Sequence, residues 1–154
     1  MDVAKRRDLI DRYKNGYQAV MDALEGVGDA DLDHRQAPGD WTAREIVHHL
    51  ADSEMTSAIR LRRLLAEDQP VIQGYDEQLY AQRLHYDRPI SASLEALCAA
   101  RLSTASLLDR LAEDEWQRQG THSESGRYGV EEWLEIYARH AHDHADQIRR
   151  AVSG

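Results

Sequence analysis

At 154 residues the chain is long enough to bury one real hydrophobic core, and three prolines, no phenylalanine and 31% charged residues over long periodic segments predict an all-helical protein. Its formal charge of -9, from 19 Lys plus Arg against 28 Asp plus Glu, repels phosphate backbones. No basic cluster offsets it, which argues against a nucleic-acid partner.

The single cysteine, Cys98, excludes an intramolecular disulfide and a Cys-rich zinc site. Its apolar helical position marks it as a buried small hydrophobe. The opening stretch Met1 to Arg12 is charged throughout, unlike a signal peptide, and no apolar run approaches a membrane span. The expectation is a soluble, cytoplasmic protein with one domain over residues 1–154.

In chain order, a first helix is expected from Val3 to Val27, where Ile10, Tyr17 and Leu24 repeat every seven residues, as do Tyr13, Val20 and Val27. Gly26 and Gly28 mark its end, and Asp29 to Asp40 forms a polar connector. The second helix has the clearest start. Thr42 and Glu45 fit a capping box, and Trp41 and Ile46 fit the accompanying hydrophobic staple. It continues to Ala66 with a broad stripe of Ile46, Val47, Leu50, Ala51, Ala58, Leu61, Leu64 and Leu65. Glu67 to Gly74 reads as a loop, Asp76 to Leu84 as a short helix, and His85 to Pro89 as another break. Ser91 or Ser93 caps a further helix to Ala112, and Glu113 to Tyr128 reads as a polar connector. The last helix runs from Gly129 to Val152.

That last helix carries His140, His142 and His144. At about 100° per residue, Trp133, Ile136, Tyr137, Ala141, Ala145, Ile148, Ala151 and Val152 gather on one face. His140 and His144 sit at the edge of that face, while His142 points almost oppositely. Imidazoles spaced i, i+4 can reach one metal ion, although a hydrogen-bonded structural pair fits the spacing equally well. His48 and His49 are the candidate third ligands. Periodicity does not choose between them; the small Ser53 and Ser57 on the side of His49 favour it slightly. His34, His85 and His122 fall in connectors and are expected to be exposed.

The run Trp41-Thr42-Ala43-Arg44-Glu45-Ile46-Val47-His48-His49-Leu50-Ala51-Asp52-Ser53-Glu54 resembles the second-helix signature of the DinB-like superfamily, especially its YfiT-type branch. His140-xxx-His144-xxx-Ile148 resembles that family's C-terminal signature, and Tyr75-Asp76-Glu77 its connector. The resemblance implies a four-helix bundle with a long crossover and a short extra helix. It also implies one divalent ion, zinc or nickel, with His49 chosen by its register from Trp41 and joined by His140 and His144. At one position the chain departs from the family pattern: Gly129, not Ser or Thr, precedes the last helix.

Three neutral imidazoles leave an ion with its charge unneutralised and a coordination position open. Such an ion activates water for hydrolysis or a thiol for transfer. The resemblance to bacillithiol S-transferases favours joining a small-molecule thiol to an electrophilic substrate. A metal-dependent hydrolase using metal-bound hydroxide is the alternative, followed by a non-catalytic metal-binding bundle. The broad second-helix stripe is compatible with a homodimer. Asp52, Asp143 and Asp146 are candidates to orient an imidazole, although each reads first as a surface carboxylate. Arg101 reads as an interhelical ion pair before a substrate contact. Tyr75 and Asp76 at the pocket mouth rest on the resemblance alone.

Overall fold

The computed structural model describes residues 1–153. Five helices, α1 (Val3–Leu24), α2 (Ala43–Ala66), α3 (Glu77–Arg83), α4 (Ser91–Leu108) and α5 (Val130–Val152), are joined by two single-turn 3₁₀ segments and three short strands. The strands are β1 (Val71–Ile72), β2 (Gln119–His122) and β3 (Gly126–Gly129). The four long helices make the bundle. No helix of the described residues is long and apolar enough to cross a membrane.

Cross-helix contacts define the directions. Lys5 pairs with Glu135, and the Arg12 carbonyl meets His142, so α1 and α5 run parallel. His48 bonds Ser93, and Arg62 bonds Thr104, so α2 and α4 also run parallel. Lys14 pairs with Asp109 while Arg6 reaches Glu113, making α1 and α4 antiparallel. The bundle is therefore up-down-down-up, and the segment between α2 and α4 must return along its length. That crossover carries β1 and α3.

Helix starts follow local chemistry. The Thr42 side chain accepts from the Glu45 amide while the Glu45 carboxylate accepts from the Thr42 amide, a complete capping box. Asp76, expected inside the short helix, instead caps α3 by accepting from the Leu79 amide. The start of α4 corrects the expected serine cap. Ile90 occupies the cap position with no side-chain bond, because Ser93 is committed to His48.

Two helices stop earlier than expected, α1 at Leu24 and α4 at Leu108. Past Leu24, Gly26 adopts φ +73° and turns the chain. The polar stretch from Glu113 to Tyr128, expected to be a plain connector, contains a 3₁₀ turn and the β2–β3 hairpin. Gly126 supplies the left-handed conformation of the hairpin turn at φ +82°. β1 joins the edge of β2 in parallel, pairing Val71 with Thr121. The approach is close: a Cβ on Gly120 would lie 2.2 Å from the Pro70 carbonyl oxygen. This small sheet pins the crossover to the chain that enters α5.

The core divides into two apolar clusters along the bundle. One contains Val20, Ile46, Leu50, Leu97, Ala145 and Ile148; the other contains Leu61, Leu64, Leu108, Trp133 and Leu134. On α5 the inward face is corrected at one position. Ile136 is 42% exposed, whereas Leu134 and Ala138 are fully buried.

Between the clusters lies a buried polar layer. Arg101 Nη1 donates to Glu54 Oε2 at 2.5 Å and its Nη2 donates to the Tyr13 carbonyl at 2.5 Å. The Tyr13 hydroxyl donates to the other oxygen of Glu54. Arg101 is thus the interhelical ion pair its position suggested. Gly16 makes room for it, since a Cβ there would come 2.5 Å from Arg101 Nη2.

Candidate metal centre

His49 faces α5 two turns into α2, and His140 and His144 face it from successive turns of α5. Their ring centroids are separated by 5.4 Å (His49–His140), 4.7 Å (His49–His144) and 4.5 Å (His140–His144). One ligand-capable atom from each ring lies within 4.8 Å of the others. Small ring rotations bring such nitrogens onto one ion with bonds of about 2.0–2.1 Å.

Hydrogen bonding separates the histidines sharply. His48, at the adjacent position, has both ring nitrogens occupied, Nδ1 by Ser93 Oγ at 2.7 Å and Nε2 by the Arg88 carbonyl at 2.9 Å. A carbonyl only accepts, so Nε2 carries the proton and Nδ1 accepts from the serine. It packs helices. His140, by contrast, buries Nδ1 with no hydrogen-bond partner, a condition that costs about 1–3 kcal/mol if nothing satisfies it. His144 Nδ1 meets Gln147 Oε1 at 2.7 Å, which places the proton on Nδ1 and leaves the Nε2 lone pair free. The three-imidazole donor set with an orphaned nitrogen fits a divalent cation.

The electrostatics keep these rings neutral. Burial pushes His49 down to about 3, with the neighbouring His144 adding to the effect. Burial likewise lowers His140 to about 2, followed by His144, His49 and Arg101. His144 is lowered by burial, opposed by Gln147 and Asp143. At neutral pH all three present lone pairs.

Trp41 packs its ring edge against His49 at 4.8 Å and donates its indole N–H to Gln78 Oε1 at 3.2 Å, tying α3 to the site. A groove of about 290 Å³, lined by Trp41, Glu77, Gln78, His144 and Gln147 together with Gly39 and Asp40, opens there to solvent. Tyr137 stands one turn before His140, with ring centroids 5.7 Å apart.

The other candidates fall outside the cluster. His142 hydrogen-bonds the Arg12 carbonyl at 2.9 Å. Asp143 is exposed, and Asp146 pairs with Arg149. Asp52 accepts from the Tyr86 hydroxyl at 2.6 Å and touches no ligand candidate. His34 and His85 are exposed, while His122, expected to be so, is half-buried against Tyr128. Cys98 is half-buried and free. Gln147 and Glu54 were not anticipated. The i+3 spacing of Gln147 from His144 and the heptad Val47, Glu54, Leu61 on a buried face were the signals that bear on them.

The sequence profile of the DinB superfamily matches residues 12–148, and the chain belongs to that superfamily. A protein of Oceanobacillus iheyensis named "Putative metal-dependent hydrolase OB0782" is 38% identical over 117 residues, covering 76% of this chain and 68% of that protein. One from Halalkalibacterium halodurans, also named a "Putative metal-dependent hydrolase", is 30% identical over 112 residues, covering 73% of this chain and 66% of that protein. The solved structure of YfiT from Bacillus subtilis, described as "a probable metal-dependent hydrolase with an unusual four-helix bundle topology", superposes with a TM-score of 0.90. It is 29% identical and covers 96% of this chain and 86% of that one.

Proposed function

We propose that His49, His140 and His144 hold one divalent ion, zinc or nickel, and that the chain is an enzyme that uses it to activate a small nucleophile. The observation that carries this reading is the convergence of three neutral imidazoles, one with a buried orphan nitrogen, on a single point beside an open groove. A bound ion supplies Lewis acidity that lowers the pKa of a coordinated water or thiol. The chain's own residues do the rest. Gln147 holds the His144 tautomer, Trp41 packs against the His49 ring, and Arg101, on the inner side, disfavours protonation of His140.

Transfer of a low-molecular-weight thiol, of bacillithiol type, to an electrophile is our first reading. Three uncharged donors leave the ion's positive charge to be balanced by its fourth partner, which a thiolate does as a hydroxide would, and the resemblance to bacillithiol S-transferases puts the thiolate first. Hydrolysis is the second, favoured by the names of the relatives and by Glu77 in the groove as a candidate general base.

Elemental analysis of purified protein tests the centre: about one equivalent of ion is expected in the wild type, and His49→Ala, His140→Ala and His144→Ala each lose most of it. Full occupancy in His140→Ala overturns the assignment. Incubating the loaded enzyme with several thiols and a chromogenic electrophile tests the chemistry. Metal-dependent conjugate formation supports transfer, and thiol-independent turnover of esters or amides supports hydrolysis.

A further inference from the structure

Beyond the three histidines, buried polar atoms without good partners recur on Arg60 of α2, Tyr75 of the crossover and Tyr128 of β3. Arg60 lies about three turns after His49 on the same face of α2. Its side chain sweeps back toward the helix N-terminus, as helical side chains do, and so toward the histidines. Its Nη1 donates to the Tyr137 hydroxyl at 3.2 Å and its Nη2 to the Gln73 carbonyl at 2.8 Å. No carboxylate pairs with its guanidinium among the described residues, in a chain with an excess of acids. Its Nε is buried and unpartnered.

Two phenols share this condition. The hydroxyls of Tyr75 and Tyr128 are buried and make no hydrogen bond of good geometry, with Ser53 beside the first and Tyr137 beside the second, and Tyr128 as a whole is 5% exposed. The Arg60 guanidinium lies 5.8 Å from the Tyr75 ring centroid. Among the described residues, the remaining unpartnered buried side-chain atoms are the His140 nitrogen and Arg6 Nε, which is elsewhere beside Glu113 and Trp116. Three of the five orphans therefore belong to this set, Arg60, Tyr75 and Tyr128, and these three are donors. Burial raises the phenols of Tyr75, Tyr128 and Tyr137 above their ordinary range, so each keeps its proton. The small sheet holds the set together, because β1 fixes the crossover that ends at Tyr75 while β3 carries Tyr128.

We infer that Arg60, with the hydroxyls of Tyr75 and Tyr128, forms a subsite for the carboxylate of a small-molecule substrate. A cation and two O–H donors are what a carboxylate accepts from, and burial strengthens each contact. The nearby acid is Glu77, whose carboxyl is raised by burial and lowered by Arg60, yet it makes no ion pair with that arginine. The position of this subsite beside a reacting centre rests on the proposed metal site; the anion binding itself does not.

The test is a titration of ¹⁵N-labelled full-length protein, metal-loaded and metal-stripped, with sodium acetate, using acetamide and sodium chloride as controls. The Arg60 Nε–H resonance is assigned by its loss in Arg60→Gln. Acetate is expected to shift it saturably in the millimolar range, in both metal states, while acetamide and chloride leave it in place. The effect of acetate on the backbone amides around Tyr128 should weaken at least tenfold in Arg60→Gln, and several-fold in Tyr128→Phe, which keeps the ring. Equal shifts with acetamide, a non-saturating response, or undiminished binding in both variants overturns the subsite. A wild type that never carries metal but binds acetate as described refutes the metal reading alone.

Discussion

His48 and His49 are neighbours in the chain and opposite in chemistry. One is consumed by two hydrogen bonds that fasten the start of α4; the other offers its lone pair to α5. The difference sets expectations for substitution. His48→Ala should retain metal and lose stability, whereas His49→Ala should lose metal. Gln147 provides a subtler case, since it acts on the ion only through His144. Gln147→Ala should weaken metal affinity about 10–100-fold, measured by competition with a chromophoric chelator. The Glu54–Arg101 pair supplies no ligand to the ion, but its loss is costly. Arg101→Ala strands a carboxylate that is 0% exposed and should destabilise by about 3–5 kcal/mol in urea titration. Replacing both residues with Leu and Met should recover most of that.

At the level of helices and strands, legibility followed how local the signal is. The capping box of α2 is written within four residues and read correctly, and Thr42→Ala should cost about 1 kcal/mol by thermal or urea unfolding. The α4 start was misread because Ser93 serves a histidine 45 positions away, a partner that propensity cannot see. The hairpin was missed because Gly120 and Gly126 read as loop punctuation. Their actual reasons, a backbone approach by Pro70 and a left-handed turn, exist only once the crossover has docked. Likewise Gly16 gave no sign of its importance within α1. Gly16→Ala should displace Arg101 and destabilise by about 1–3 kcal/mol despite the better helix propensity of alanine. The histidine triad was legible because two members share one helix face, and its third member needed the resemblance to separate it from His48.

For the molecule as a whole, acidity is the informative variable. In metal-stripped protein, His49 and His140 are held neutral by burial, while the unfolded chain protonates them near the ordinary value of 6.5. Below that value the unfolded state binds more protons, so stability should fall as pH drops from 7, and continue falling toward about 3 for His49 and about 2 for His140. Melting temperatures of the stripped protein between pH 7 and 5 check this, and the loss should be smaller in His140→Ala. Bound metal should raise stability most at neutral pH and least in acid, since protons compete for the same nitrogens.

The up-down-down-up course of the helices has a mechanical consequence. His49 and His140 stand on antiparallel neighbours yet are about 90 residues apart along the chain, a span containing the crossover, α4 and the hairpin. An ion shared between them ties the two ends of that span only in the folded chain, so its binding free energy adds directly to the stability of the pair of helices. Stripping the ion should therefore speed amide exchange across α2 and α5 together, at residues far from any histidine, as two helices are released from a single clasp.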